Sequence, residues 1–191
     1  MENQESTAPQ DQSAGQEAEA PSQEVVDAIR QRAEWARLAV PELATAGRTR
    51  KDAVLRHMAE SLRSNAAAII TANQEDRARG AEAGTSAALL DRLKLDEPRV
   101  EALALGLEAL AALPDPVGAV VRGGTLPNGV RMTQTRVPLG VVGAVYEARP
   151  NVTVDIAGIA LKSGNGVILR GGSAAQSTNA VLIQVLREAL A

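Results

Sequence analysis

The chain has 191 residues, 45% of them hydrophobic and 23% charged, with a formal net charge of −3, which suits one or two soluble domains. It has no cysteine, one histidine and only Trp35 and Tyr146 as aromatics. This excludes disulfides, thiolate metal sites, a thiol nucleophile within these residues, a two-histidine metal site and stacking platforms for single-stranded nucleic acid.

Residues 1–24 hold six acids and no Lys or Arg, and the remainder has 20 basic and 17 acidic residues. An excess that small does not argue for nucleic-acid binding. Residues 1–21 are rich in Gln, Glu, Ala and Ser and cannot bury enough apolar surface to offset ordering entropy, so they read as a disordered acidic tail. No basic region followed by an apolar core marks a signal peptide, and no run approaches the roughly 18 apolar residues of a membrane span. A cytoplasmic protein without membrane contact is expected.

The pattern over residues 22–45 is helical. Ser22 is placed to cap, Glu24 suits the first turn, and Val25, Val26, Ile29, Ala33 and Ala36 form a stripe. Pro41 is expected to kink or end this helix near Val40. A second helix runs from about Thr49 with Val54, Leu55, Met58 and Leu62 inward; the basic residues Arg48, Arg50 and Lys51 read as its solvated start. A third covers 66–71 and extends toward Asn73. Asp96 caps a further helix, with Pro98 at an early position. Val100, Leu103, Leu107 and Leu110 face inward there, and Pro114 and Pro116 end it. His57, between Arg56 and Met58, reads as a surface or packed residue without a catalytic role.

The signal then changes to strands. Residues 117–121 and 130–137 are β-branched and separated by Gly123-Gly124 and Leu126-Pro127-Asn128-Gly129, where Asn-Gly is a strong hairpin signal. Residues 140–146 form a continuous apolar run, expected of a strand buried on both faces. Residues 151–162 are helical, with Val152, Ile156, Ile159 and Ala160 inward. Gly164-Asn165-Gly166 turns the chain into a second buried strand at 167–169. Ser173 or Ser177 opens a last helix carrying Val181, Leu182, Val185, Leu186 and Leu190. Residues 137–191 therefore read β-α-β-α, a crossover unit of a doubly wound parallel sheet in an α/β fold. Two parallel strands do not make a stable sheet alone, so the polypeptide reads as truncated relative to its fold.

No GxGxxG follows a strand, and neither a Walker loop nor a GxSxG elbow occurs. Two loops remain at the carboxyl ends of the parallel strands, where ligands bind in open α/β sheets. In the first, Asn151 is either an N-cap or an amide donor to a developing oxyanion. Arg149, before Pro150, is either a solvated or ion-paired arginine or an anion ligand. In the second, Arg170-Gly171-Gly172-Ser173, the glycines permit close backbone approach, the helix that follows offers unpaired N–H groups, and Arg170 adds charge suited to a 2′-phosphate or ribose. The alternative is an ordinary βα loop. Asp155 is explained by the helix dipole.

At these loops, the stretches VPLGVVGAVYEARPNVT (137–153) and LKSGNGVILRGG (161–172) resemble the gamma-glutamyl phosphate reductase (glutamate-5-semialdehyde dehydrogenase) family of the aldehyde dehydrogenase superfamily. Asp91-Arg92-Leu93 and Asp115-Pro116-Val117-Gly118 also fit. The resemblance covers about residues 35–191. It implies that residues 22–191 are the N-terminal part of an NADP-binding Rossmann-like domain, with 117–137 a hairpin of the oligomerisation element and the catalytic domain absent. It further implies NADPH-dependent reduction of L-glutamate 5-phosphate to L-glutamate 5-semialdehyde in proline synthesis, through a cysteine nucleophile. A homo-oligomeric full-length protein and a functional association with glutamate 5-kinase are part of the same expectation. By matched position, Asn151 is an oxyanion donor. Arg170 stands where many relatives place a lysine near the adenosine ribose, and Gly171, Gly172 and Ser173 line that pocket. Arg149 and Pro150 lie toward the pyrophosphate or nicotinamide. The chain alone is expected to be inactive. Two other readings remain open at this stage: a non-catalytic nucleotide-binding or assembly module on the same half-fold, and another acyl-phosphate or acyl-CoA reductase.

Overall fold

The computed structural model describes residues 20–190, so nearly all of the expected acidic tail lies outside the described residues. The elements are α1 (Gln23–Thr45), α2 (Arg48–Ser64), α3 (Ala66–Glu82), α4 (Ala87–Leu93), α5 (Glu97–Ala112), β1 (Val120–Thr125), β2 (Arg131–Thr135), β3 (Val141–Tyr146), α6 (Asn151–Lys162), β4 (Gly166–Gly171) and α7 (Gln176–Glu188). A 3-10 turn, Ser173–Ala175, leads into α7. None of these helices is long and apolar enough to cross a membrane.

The core is helical. Leu55, Met58 and Leu62 of α2 meet Val100, Leu103 and Leu107 of α5, and Val154 of α6 and Leu182, Val185 and Leu186 of α7 close the cluster. Asp96 caps α5 as its position predicts, accepting from the Arg99 amide at 3.1 Å. β3 and β4 pair in parallel, with Val141 opposite Gly166 and Tyr146 opposite Gly171. β1 and β2 form a separate antiparallel hairpin.

Several expectations are corrected. α1 runs through Pro41 to Thr45. Proline removes one helical N–H bond, but Pro41 is on the exposed side, and the Thr45 hydroxyl and Ala46 amide close the last turn on the Pro41 and Glu42 carbonyls. No residue of α1 is buried, and Val25 and Ile29 of its expected stripe are exposed. β1 includes Gly123 and Gly124; a Cβ at Gly123 would stand 3.1 Å from the Met132 carbonyl, so the glycine permits a close strand approach where it reads as a breaker. β3 alternates exposed and half-buried instead of being buried on both faces. β4 is likewise mostly half-buried. In α6 Ile159 is exposed; Thr153, Val154, Gly158 and Ala160 face inward. Leu190 is exposed rather than part of the inward face of α7. Helix α4, between the third and fourth expected helices, has too few residues to show a period.

The largest departure concerns charge. Lys51, expected in solvent, is 1% exposed and donates to both Asp115 carboxylate oxygens at 3.0 and 3.2 Å. Asp115 in turn accepts from the Val117 amide, which fixes the chain entering the hairpin. Lys162, also buried, donates to Asp52 at 2.5 Å and to the Ala111 carbonyl at 3.1 Å. Arg48 reaches the other Asp52 oxygen at 3.2 Å. These pairs tie α2 to the end of α5 and to α6.

Lys162 foremost, with Arg48 behind it, holds the Asp52 carboxyl below its ordinary value although burial pushes the other way. The folded protein thus binds this proton less readily than the unfolded chain. The resulting stabilisation is present above a carboxylate's usual pKa of about 3.9 and is lost as pH falls below it. Asp52→Ala leaves Lys162 charged and short of its partner. Urea denaturation at pH 7 is expected to show a loss of about 3–5 kcal/mol, together with a flatter decline in stability below about pH 4.

Candidate functional site

Parallel pairing brings the carboxyl ends of β3 and β4 to one rim. Tyr146 and Gly171 share the last rung, so residues 147–151 and 172–175 leave the sheet side by side. Gly172 lies against the first loop: a Cβ there would be 3.3 Å from Glu147 Cα and 3.7 Å from the Ala148 nitrogen. The two loops are therefore in contact, as the sequence leads one to expect.

Within the first loop, the Arg149 and Pro150 carbonyls accept from the Val152 and Thr153 amides, starting α6. Pro150 occupies the cap position and is buried, and Asn151 is already helical. Asn151 is thus not an N-cap. Its side-chain amide donates to Asp155 at 3.1 Å. That bond uses one of the two N–H donors of the amide and leaves the second. Arg149, Arg170 and Ser173 are exposed, and Gly171 and Gly172 are half-buried. Two guanidinium-bearing residues thus flank loops whose glycines allow close backbone approach.

Beneath the loops runs a polar network that reading the sequence missed. Tyr146 Oη is 2.6 Å from Thr153 Oγ1, and Thr153 donates to Asn179 Oδ1 at 2.8 Å. The Asn179 Nδ2 atom fills the space beside Gly171, 2.2 Å from where a Cβ would be. Farther down, buried Asp76 of α3 accepts from the Ser177 and Thr178 amides at 3.1 and 2.7 Å and from the Thr178 hydroxyl at 2.6 Å. Asn73 accepts from the Leu95 amide and donates to the Leu93 carbonyl, both at 2.7 Å. The first amides of α7 are therefore already satisfied by a carboxylate, and its dipole is met there from inside. The positive charge of the two loops is carried by the exposed side chains of Arg170 and Arg149. Of its members only Thr153 stands out in the sequence as a polar residue between apolar ones, whereas Asn179 closes the polar stretch that opens α7 and Asn73 and Asp76 lie in the middle of α3.

An apolar cavity of about 470 Å³ lies between α1, α6, β4 and α7, lined by Trp35, Leu43, Leu161, Leu169, Ile183 and Leu190 among others. No residue of either loop lines it. Among the described residues no group of three acidic or histidine side chains is placed to hold a metal.

No family model matches the chain. The fold built from the parallel βαβ unit and its helices matches solved aldehyde dehydrogenases. A NAD-dependent benzaldehyde dehydrogenase from Corynebacterium glutamicum, 20% identical, superposes with a TM-score of 0.68 over 86% of this chain and 34% of its own. Within that fold class the chain matches the gamma-glutamyl phosphate reductases. It is 61% identical over 155 residues to the enzyme of that name from Kineococcus radiotolerans, covering 81% of this chain and 36% of the relative. The crystal structure of the Thermotoga maritima gamma-glutamyl phosphate reductase, 37% identical, gives a TM-score of 0.81 over 85% of this chain and 39% of that one. The chain thus spans little more than a third of the length of the relatives it matches.

Crowding at Gly171 is directly testable. Gly171→Ala places a methyl group against Asn179 and is expected to destabilise by about 1–3 kcal/mol. In an Asn179→Ala background the room is restored, and the same substitution is expected to cost less than about half as much. Equal losses in both backgrounds, read from denaturant midpoints, would disprove this packing.

Proposed function

We propose that this chain forms part of the nucleotide-binding half of an NADPH-dependent reductase that converts L-glutamate 5-phosphate to L-glutamate 5-semialdehyde and phosphate in proline synthesis. The observation that carries the reading is the shared last rung, Tyr146 with Gly171, which joins the YEARPN and RGGS loops at one rim. High sequence identity to gamma-glutamyl phosphate reductases over most of the chain supports the choice of substrate.

The residues fit the cofactor. Gly171 and Gly172 leave the backbone open, and exposed Arg170 offers a bidentate donor for a 2′-phosphate. Arg149 and Pro150 shape the other side of the rim. Bound there, NADPH supplies the hydride. Asn151 directs its amide to the acyl oxygen, lowering the energy of the negative charge that develops on it. These 191 residues contain no cysteine, so the thiol that attacks the acyl phosphate comes from outside them. The exposed hairpin of β1 and β2, with Val120, Val121, Val130 and Met132 open to solvent, is the surface assigned to self-association.

Three measurements on the complete reductase test the assignment. NADPH oxidation must depend on the acyl phosphate; its absence in the wild-type protein would sink the reading. Asn151→Ala is expected to lower kcat by about 100- to 1,000-fold. Arg170→Ala is expected to raise the KM for NADPH about tenfold while changing that for NADH by less than about threefold. The 191-residue chain by itself is expected to give no turnover.

A further inference from the structure

We propose that Thr153, acting with Tyr146 and Asn179, is a positioning residue that sets the two nucleotide loops against each other. The inference rests on the reading of those loops as the NADPH rim.

Three elements meet at one hydroxyl. Tyr146 ends β3, Thr153 lies in the first turn of α6, and Asn179 lies in the first turn of α7. Thr153 is fully buried. Its single proton goes to Asn179 Oδ1 at 2.8 Å, because that carbonyl oxygen has none to give. The Tyr146 hydroxyl must then donate to Thr153 Oγ1, 2.6 Å away. The chain of donors has one direction, from Tyr146 through Thr153 to Asn179, and the Thr153 hydroxyl is used both ways.

That direction fixes the amide of Asn179. With Oδ1 held by Thr153, Nδ2 is turned onto Gly171, 2.2 Å from the position of a Cβ. The Tyr146 ring comes within 3.3 Å of the same point, through Cε2. Gly171 is thus held between the two outer members of the chain. Its neighbours in sequence are Arg170 on one side and Gly172-Ser173 on the other. Thr153 itself is two residues beyond Asn151 on the same helical turn. One hydroxyl therefore links the placement of the amide donor to that of the arginine-glycine loop. Valine has almost the shape of threonine, so packing alone does not call for this oxygen. A buried network of this kind specifies one arrangement when all its members are satisfied and loosens when one is removed.

The test uses the complete reductase, titrated with NADPH by fluorescence, with KM for the acyl phosphate and thermal midpoints measured in parallel. Thr153→Val is expected to raise the Kd for NADPH about tenfold and to leave the KM for the acyl phosphate within about twofold. Thr153→Ser keeps the hydroxyl and is expected to restore the NADPH Kd to within about twofold of wild type. Tyr146→Phe removes one oxygen from a half-buried ring and is expected to weaken NADPH about threefold. Wild-type NADPH affinity in both Thr153→Val and Tyr146→Phe overturns the proposal, whatever their melting temperatures. If Thr153→Val fails to fold, Tyr146→Phe decides alone, and unchanged affinity there overturns it. A wild-type protein that does not bind NADPH overturns the underlying nucleotide reading instead, a failure recognisable because no variant is involved.

Discussion

Pairing of β3 with β4 in register is the constraint from which the site follows. Parallel strands place their carboxyl ends at one rim, and the register decides which residues emerge together. Here the last rung joins Tyr146 to Gly171. A shift by one residue would turn each side chain of a strand to the opposite face. The Tyr146 ring would leave Thr153, and Gly171 would no longer be the residue facing Asn179. The register is held from outside the sheet as well: the Gly140 amide donates to Asn165 Oδ1 at 3.0 Å, and the Gly166 amide to the Gly140 carbonyl at 2.9 Å. The near ends of the strands are thereby locked by the turn, and the far ends by the hydroxyl chain.

Buried charge and buried hydroxyls hold what so few strands cannot. The helical core is built from Leu, Val, Ala, Met and Ile, with no aromatic residue among its buried members. Around it, Lys162 with Asp52, Lys51 with Asp115, and Asp76 with the start of α7 join elements far apart in sequence. Such pairs add little net stability compared with apolar replacements, but removal of one member is costly. Their contribution here is placement. Asp115 fixes the entry to the hairpin, and Asp76 and Asn179 fix the start of α7 beside the rim where the two loops meet.

The sequence was most legible where one signal decided the outcome. Asp96 and Pro98 marked the start of α5, the apolar run at 140–146 marked β3, and the crossover from β3 to β4 placed both loops at one edge. Legibility failed where a residue's type and its surroundings disagree. Lys51 and Lys162 carry charges that ordinarily face water, and only partners 64 and 110 residues distant bring them inside. Asn151 has the chemistry of an N-cap, but Pro150 takes that position one residue earlier. Gly123 resembles a breaker, although the opposing strand requires its lack of a side chain. Thr153 and Asn179 read as ordinary helix residues, since their joint role exists only once α6 and α7 are packed. Pro41 breaks a helix in general; in α1 it sits on the exposed side, where water can serve the carbonyl that loses its donor.

The hairpin has one further consequence. Residues 117–137 include Arg122, Arg131 and Arg136 and no carboxylate, and both strands stand clear of the core on either face. Open strand edges invite uncontrolled addition of other chains, and like charges along an edge oppose it. Two such ribbons approaching each other repel, with a range near one Debye length, about 8 Å in physiological salt and longer at lower ionic strength. The arginines thereby oppose edge-to-edge addition of a second ribbon of this kind and leave approach to a surface of opposite or no charge unopposed.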